Sequence, residues 1–330
     1  MSDLFDKYLS PSAPKQEEVK NTEIKTNIVS FGNDKKIKED NPNLETNSNV
    51  KLFNKDGLPI FNISQSLIKQ FTKKKYDGDV EIKERCPYYI YTCYIAKTDK
   101  SLTTNAMLKG LFFEQLCLGR SATDEVIDDL PRKTRPPGEK TTDQIRIEEQ
   151  AIEFQRLCSQ YGIELSPDNV QNKYKQLYKH DFEDECEVYL TGVTDFEHPI
   201  YSSVSNKLVD CVIDLKLTQK IDSTFGDYAW GNPVYIDHIQ MDMYNYLTGK
   251  QGLYWVFDYS VGKKNDMFSH TPEQEDIDRL HFRIRQTIIE LMYDYKMEYP
   301  ANGVYEICKL CPHNPRNGGN CVKACNIKQI

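Results

Sequence analysis

An acid and a lysine lie two residues apart in the segment 208–217, at Asp214 and Lys216. Residues two apart on a β-strand point to the same face. The other face of this segment is apolar throughout, which predicts burial; it consists of Val209, Cys211, Ile213, Leu215 and Leu217. A carboxylate is a hard oxygen ligand for Mg²⁺ or Mn²⁺, and an ammonium group can hold or deprotonate a water beside an anionic phosphodiester. A solvated cross-strand ion pair explains the same spacing, so this pattern alone is weak.

A second acid, Asp195, ends the segment 187–195, whose β-branched and aromatic residues predict a strand. The segment 196–207 contains Pro199 and a cluster of Ser and Asn residues, so we expect a turn there and a hairpin that returns through Asp214. The hairpin would bring the two carboxylates together. Like charges at short range raise each other's pKa and destabilise a fold unless a cation lies between them.

Two predicted helices add further polar side chains. The segment 109–117 is typical of a helix and carries Glu114. The segment 239–247 is helical in pattern and places Gln240 and Tyr244 on one face, because they are four residues apart. Tyr244 has an ordinary alternative, since aromatic residues at helical spacing usually belong to a core.

Taken in order, these pieces form a series of short motifs. They are Gly110-x-x-x-Glu114, Gly192-x-x-Asp195, Asp214-x-Lys216 and Gln240-x-x-x-Tyr244, preceded by Ile63-Ser-Gln-Ser-Leu67 and Cys86-Pro-Tyr-Tyr. The series resembles the PD-(D/E)XK nuclease superfamily, specifically its RecB-like exonuclease branch, from about residue 60 to the C-terminus. Many relatives have His at the position of Glu114, which leaves the number of bound metal ions open.

The resemblance implies an α/β fold with a restriction-endonuclease-like core, in which a mixed central β-sheet is flanked by helices. The ligands that it implies for Mg²⁺ or Mn²⁺ are Glu114, Asp195, Asp214 and the Leu215 carbonyl. It implies that Lys216 orients the attacking water and stabilises charge, and that Gln240 and Tyr244 contact DNA or the catalytic strand.

We therefore expect a metal-dependent deoxyribonuclease, an exonuclease that acts in DNA replication, recombination or repair. A catalytically silent, nuclease-derived subunit for DNA binding or assembly is the alternative. Crowded carboxylates argue against it, because a retired site has no physical reason to keep them. A small-molecule or RNA phosphodiesterase would use the same metal chemistry.

The C-terminal segment contains four cysteines within 308–330, in two pairs separated by a Gly-Gly turn. Thiolates at this spacing chelate one soft metal ion. In one interpretation, a structural Zn²⁺ binds Cys308, Cys311, Cys321 and Cys325. In the other, implied by similarity to iron–sulfur AddB-type and CRISPR-adaptation nucleases, Cys86 replaces Cys325 and the four hold a 4Fe-4S cluster. The cysteines that we expect to be small buried hydrophobic residues are Cys93, Cys117, Cys158, Cys186 and Cys211.

Composition predicts three regions: a disordered arm at 1–50, a nuclease domain at 51–300, and a metal-binding segment at 301–330 packed on that domain. An apolar stripe near the start, if helical, would dock a separate helicase or a recombination or replication protein, although a frayed terminus explains it equally well; it consists of Leu4, Phe5, Tyr8 and Leu9.

The sequence shows no apolar leader and no membrane-length apolar run, so we expect a protein of the cytoplasm, in a bacterial or phage-infected cell. The net charge of −8 does not exclude a locally basic DNA groove.

Two further helices and a strand are predicted to complete the core. A helix over 143–160 would point Ile145, Ile152 and Leu157 inward. The segment 254–259 predicts the last buried strand. A long helix would begin at an N-cap at Thr271. Its inner face would consist of Ile277, Leu280, Ile284, Ile288 and Leu291.

Overall fold

The computed structural model describes residues 52–72, 75–77, 80–82, 85–120, 126–127, 129–132, 134, 137–202, 206–219, 221, 238–260, 264–302 and 305–321. Residues 72, 75–77, 80–82 and 305–306 are described for the backbone only. The predicted arm at 1–50 and Cys325 lie outside the described residues.

The chain is a mixture of α-helices and β-strands. The strands are β1 (Ile60–Ile63), β2 (Lys75–Asp77), β3 (Val80–Ile82), β4 (Lys173–Leu177), β5 (Glu187–Val193), β6 (Phe196–Ser202), β7 (Lys207–Thr218), β8 (Gln251–Asp258) and β9 (Lys264–His270). The helices are α1 (Gln65–Thr72), α2 (Pro87–Ile90, continued by a π-helical turn at Tyr91–Ile95), α3 (Asn105–Leu118), α4 (Thr142–Tyr161), α5 (Ile239–Thr248), α6 (Gln274–Lys296) and α7 (Tyr305–Cys308), with a 3₁₀ turn at Pro315–Asn317. None of these helices is both long and apolar enough for a transmembrane span.

The described residues form two compact units. The first takes the described parts of Asn105–Lys173 and Val193–Thr271, and the second takes those of Lys38–Thr104, Tyr174–Gly192 and Pro272–Ile330. The predicted boundaries at 50 and 300 stay a prediction.

The first unit is built on a mixed sheet in the order β6-β7-β8-β9. The central pair β7 and β8 is parallel, and the two outer pairs are antiparallel. The apolar face predicted for β7 is confirmed, since all five of its residues join the main core. That core packs α3 and α4 against this face of the sheet through Phe113, Phe154 and their neighbours.

The opposite face of the same sheet is covered by α5. Met241 and Tyr244 pack there against Val212, Tyr254 and Val256. A Cβ atom at Gly252 would lie 2.8 Å from Met241 Sδ, so β8 needs a glycine at this point for α5 to approach the sheet.

The second unit contains a three-stranded sheet in the order β1-β5-β4 and the two-stranded antiparallel ribbon of β2 and β3. Strand β1 pairs in parallel with β5. Helix α6 buries Leu280, Ile284, Ile288 and Leu291, which confirms most of its predicted inner face.

Three predictions about the bounds and order of these elements were wrong. Residues 196–202 are not a turn but strand β6, which pairs with β7 along its whole length; Pro199 is tolerated there because β6 is an edge strand. Strand β9 follows β8, so β8 is not the last strand. The N-cap of helix α6 is Glu273, two residues beyond the expected cap at Thr271, and it forms a capping box with Asp276.

Helix α4 lies where the sequence predicted, but two of its expected core residues point outward. Ile145 and Ile152 are 44% and 54% exposed, whereas Ile147 and Phe154 are fully buried. The ring of Phe154 packs on Trp255 at a centroid distance of 5.1 Å. Ile145 and Ile152 are seven residues apart and share one face of the helix, whereas Ile147 points to the opposite face. Packing against the sheet buries the face that carries Ile147 and Phe154.

We predict that Phe154→Ala lowers the free energy of unfolding by about 3–5 kcal/mol, because it removes a fully buried ring and leaves a cavity. Ile152→Ala on the same helix is the control and should change it by less than about 0.5 kcal/mol. Urea titration followed by circular dichroism measures both. Equal losses in the two variants would contradict the observed orientation of α4.

Candidate active site

Strand β7 carries the acid–lysine pair in the middle of the first unit's sheet. Asp214 is 1% exposed, and its Oδ2 atom lies 2.5 Å from Lys216 Nζ. The backbone beneath these two side chains is held by pairing with β8, where Asp214 lies opposite Tyr254 and Lys216 opposite Val256. The pair lies on the face that α5 covers, opposite the main core.

Asp195 joins this pair from the short segment between β5 and β6. The last rung of β6 and β7 pairs Phe196 with Ile213, so Asp195 stands one step further along, beside Asp214. Its Oδ2 accepts a hydrogen bond of 2.7 Å from the Leu215 backbone N–H. The predicted meeting of the two acids therefore occurs, although β6 rather than β5 forms the hairpin with β7.

The charge of Asp195 is strongly disfavoured in this position. Burial raises the pKa of its carboxyl well above the usual range, and the negative charges of Asp214 and Glu114 raise it further. The Lys216 ammonium and the Leu215 N–H oppose the shift without cancelling it. A carboxyl group whose pKa is raised in this way is stable as a carboxylate only if a further positive charge lies close to it.

Glu114 belongs to α3 and is held by a residue that the motifs did not predict. Gln171 donates a hydrogen bond from Nε2 to Glu114 Oε1 and another from its backbone N–H to the Asp195 carbonyl oxygen, the latter at 2.9 Å. No pattern in the sequence marks Gln171. A Cβ atom at Gly110, the glycine of the same motif, would meet no heavy atom within 4 Å, so local packing does not explain that glycine.

Helix α5 supplies an amide that contacts both members of the acid–lysine pair. Gln240 donates from Nε2 to Asp214 Oδ1 at 2.5 Å and accepts from Lys216 Nζ at 3.2 Å. The same Nε2 lies 3.1 Å from Tyr244 Oη, and that hydroxyl donates to the Val193 carbonyl oxygen at 2.6 Å. Tyr244 is thus both a core residue and a support of the site.

Lys216 keeps its proton in this environment. Burial lowers the pKa of its ammonium, but the charges of Asp214, Asp195 and Glu114 together outweigh burial, so the pKa is raised overall. At neutral pH the side chain is a fixed positive charge and a hydrogen-bond donor. It cannot act as a general base in this state.

The three carboxylates have the chemistry of a hard-metal site. All are oxygen donors, and Asp214 Oδ2 has no hydrogen-bond partner among the described residues beyond its ion pair with Lys216. Within the described part of the chain, no three His, Cys, Asp or Glu side chains already stand as a ligand set. The carboxylates fit a divalent cation in donor type and in charge.

The second unit brings together the cysteines for which a metal was expected. Cys86, Cys308 and Cys311 are buried, and Cys321 is half-buried. The charges of Cys86, Cys308 and Cys321 all act on Cys311, and burial raises the pKa of the Cys311 thiol.

Backbone N–H groups point at two of these sulfur atoms. The Asn302 N–H donates to Cys86 Sγ at 3.4 Å, with a second donor from Tyr89, and the His313 N–H donates to Cys311. Cys93 was expected to be buried but is half-buried beside this group, and burial raises its pKa to about 11. The other four cysteines expected to be buried are so: Cys117, Cys158, Cys186 and Cys211.

The solved structures to which this chain is similar include two exonucleases. A protein of Eubacterium rectale described as an exonuclease covers 78% of this chain and 88% of its own, with 13% identity and a TM-score of 0.43. The alkaline exonuclease of Laribacter hongkongensis covers 72% of this chain and 92% of its own, with 12% identity and a TM-score of 0.37. No protein-family model and no curated protein matches the sequence. Likenesses this remote carry no argument about activity, so the function is inferred from the side chains.

We predict that Asp195→Asn raises the free energy of unfolding at pH 8, without added metal, by about 0.5–2 kcal/mol, because it removes one of three crowded negative charges. A raised carboxyl pKa means that the folded chain binds this proton more tightly than the unfolded chain does. Wild-type stability is therefore lost as the pH rises from about 4, the ordinary carboxyl value, through the raised pKa.

The advantage of the asparagine should shrink as the pH falls toward that ordinary value, and urea titrations at several pH values measure it. Asp210→Asn is the control, because Asp210 lies on the same strand but is exposed. A stability gain independent of pH, or the same gain in both variants, would contradict the electrostatic explanation.

Proposed function

We propose that this protein is a divalent-metal-dependent deoxyribonuclease, an exonuclease of the RecB-like branch of the PD-(D/E)XK superfamily with a restriction-endonuclease-like core. One arrangement carries the proposal: Asp195, Asp214 and Glu114 lie near Lys216 at the C-terminal part of β7, in one unit. Crowded carboxylates and a neighbouring ammonium match the needs of a metal ion and a phosphodiester at once.

In this proposal the ion is Mg²⁺ or Mn²⁺, and its ligands are Glu114, Asp195, Asp214 and the Leu215 carbonyl. When bound, it would polarise the phosphoryl oxygen and lower the pKa of a bound water. The Leu215 N–H orients Asp195 for this role through its hydrogen bond.

The remaining residues position and neutralise charge. Lys216, which stays protonated, offsets the negative charge that develops on the phosphate during in-line displacement. Gln240 holds the Lys216 ammonium and the Asp214 carboxylate in fixed relation, and Tyr244 anchors Gln240 to the backbone. A non-cutting subunit would bear the same electrostatic cost with no gain, so the catalytic function is favoured.

The wider setting remains part of the proposal. The substrate is DNA, the process is replication, recombination or repair, and the place of action is the cytoplasm. A separate helicase or a replication or recombination protein would bind through residues 1–50. These residues lie outside the described part of the chain.

We predict that Lys216→Ala lowers the rate of Mg²⁺-dependent DNA cleavage by about a hundredfold or more, because it removes a charge that acts in the transition state. Folding, measured by circular dichroism, and DNA binding, measured by gel shift in EDTA, should be retained.

Lys250→Ala is the matched control. Lys250 is also ion-paired at 2.5 Å, with Glu197, and its side chain is 32% exposed against 33% for Lys216. It should leave the cleavage rate within about threefold of wild type. Normal cleavage by Lys216→Ala would contradict the proposed site.

We further propose that Cys86, Cys308, Cys311 and Cys321 hold a 4Fe-4S cluster. The alternative is Zn²⁺, bound by the same thiols or with Cys325 as one ligand. The four cysteines belong to one unit, Cys86, Cys308 and Cys321 lie near enough to Cys311 to act on its thiol electrostatically, and N–H groups point at two of the sulfur atoms. Such donors stabilise thiolates that bind metal. The metal would join the C-terminal segment to the residues around α2.

We predict that anaerobically purified protein carries about one cluster per chain, seen as a brown colour with iron and sulfide on analysis, and that Cys308→Ala loses most of it. Zinc in place of iron would select the alternative. Cys186→Ala is the control, because Cys186 is equally buried in the same unit but lies outside the group. Protein that contains neither metal would contradict both versions.

A further inference from the structure

Gln171 is a buried glutamine that contacts two of the chain segments bearing the site's carboxylates. Its backbone N–H donates to the Asp195 carbonyl oxygen at 2.9 Å, and its Nε2 donates to Glu114 Oε1. The residue is 7% exposed. It therefore joins α3 to the segment between β5 and β6 from inside the first unit.

The backbone around Gln171 is fixed against the Asp195 segment by a short ladder. The Thr194 N–H donates to the Asn172 carbonyl at 3.0 Å, and Val170 forms an antiparallel bridge with Phe196. Within this ladder, Gln171 has a φ of 56°.

A left-handed backbone of this kind costs conformational free energy for any residue with a β-carbon, less for asparagine than for most others, and costs glycine almost nothing. The left-handed conformation therefore does not explain why this residue is a glutamine. The position uses the length and the amide of its side chain, and both reach Glu114.

The chemical character of this donor suits a carboxylate that must stay negative. A hydrogen bond from an amide N–H to an ionised, half-buried carboxylate is stronger than one between neutral groups, and it fixes the orientation of the carboxylate. A lysine or arginine in the same place would also offset the charge. Gln171 orients Glu114 and leaves that charge available to a cation.

We propose that Gln171 is a positioning residue of the metal site: it holds the Glu114 carboxylate beside Asp195 so that both serve the same divalent ion. This inference rests on the proposed nuclease function. It assigns Gln171 no contact with the substrate.

The test compares Gln171→Asn with wild type, using Mn²⁺ as the probe. Asparagine keeps the amide and accepts the left-handed backbone, but it is one methylene too short to keep the bond to Glu114. We expect Mn²⁺ affinity, measured by electron paramagnetic resonance, to fall by about 10–100-fold, as is typical when a residue that orients a metal ligand is lost. The kcat for DNA cleavage should fall similarly at subsaturating Mn²⁺, with KM for DNA within about twofold of wild type.

Gln150→Asn is the matched control. Gln150 is another buried glutamine of the first unit, and its Nε2 donates to a backbone carbonyl, that of Asp258, rather than to a carboxylate. It should lower the thermal midpoint without changing Mn²⁺ affinity or kcat. If Gln171→Asn does not fold, Gln171→Gly removes the side chain while relieving the backbone, and it should show the same loss of Mn²⁺ affinity.

Unchanged Mn²⁺ affinity in Gln171→Asn, beside a wild type that binds Mn²⁺ and cleaves DNA, would overturn this inference alone. Equal losses in Gln171→Asn and Gln150→Asn would also overturn it, because they would reduce Gln171 to a packing role. A wild type that neither binds Mn²⁺ nor cleaves DNA would overturn the nuclease proposal, and this inference with it.

Discussion

Three carboxylates, two of them buried, lie near one another beside β7, and the repulsion that Asp195 feels from Asp214 and Glu114 is the constraint on which the proposed site depends. Burial removes the water that would screen the Asp195 carboxyl, and the charges of Asp214 and Glu114 raise its pKa further. The Lys216 ammonium offsets only part of this charge. Repulsion between the carboxylates destabilises the fold without a cation, and a bound cation relieves it. The same arrangement therefore explains both the electrostatic cost and the proposed metal binding.

The backbone supplies most of the positioning. The Leu215 N–H binds the Asp195 side chain between the two positions occupied by the acid–lysine pair. The absence of a side chain at Gly252 lets α5 come close enough for Gln240 to reach that pair. Main-chain groups and a glycine thus set distances that side chains alone would leave adjustable.

The sequence predicted the parts of the site that depend on period and order. The two faces of β7 follow from alternation, and the placing of Gln240 and Tyr244 follows from helical spacing. The sequence did not predict strand β6, because Pro199 is compatible with an edge strand only once its neighbours are known. Gln171 could not be found, since its role depends on a left-handed backbone and on contacts with distant segments. The ligand sets of both metals rest on family resemblance and await experiment.

The hydrogen bonds that run from Val193 to Lys216 have a direction, and a main-chain carbonyl decides it. The oxygen of Val193 can only accept, so the Tyr244 hydroxyl must give its hydrogen there and receive one from Gln240. That requirement settles which end of the Gln240 amide carries nitrogen, and it turns the amide oxygen toward the ammonium. The direction of these hydrogen bonds is therefore set by a main-chain acceptor, which stays an acceptor whatever side chain residue 193 carries.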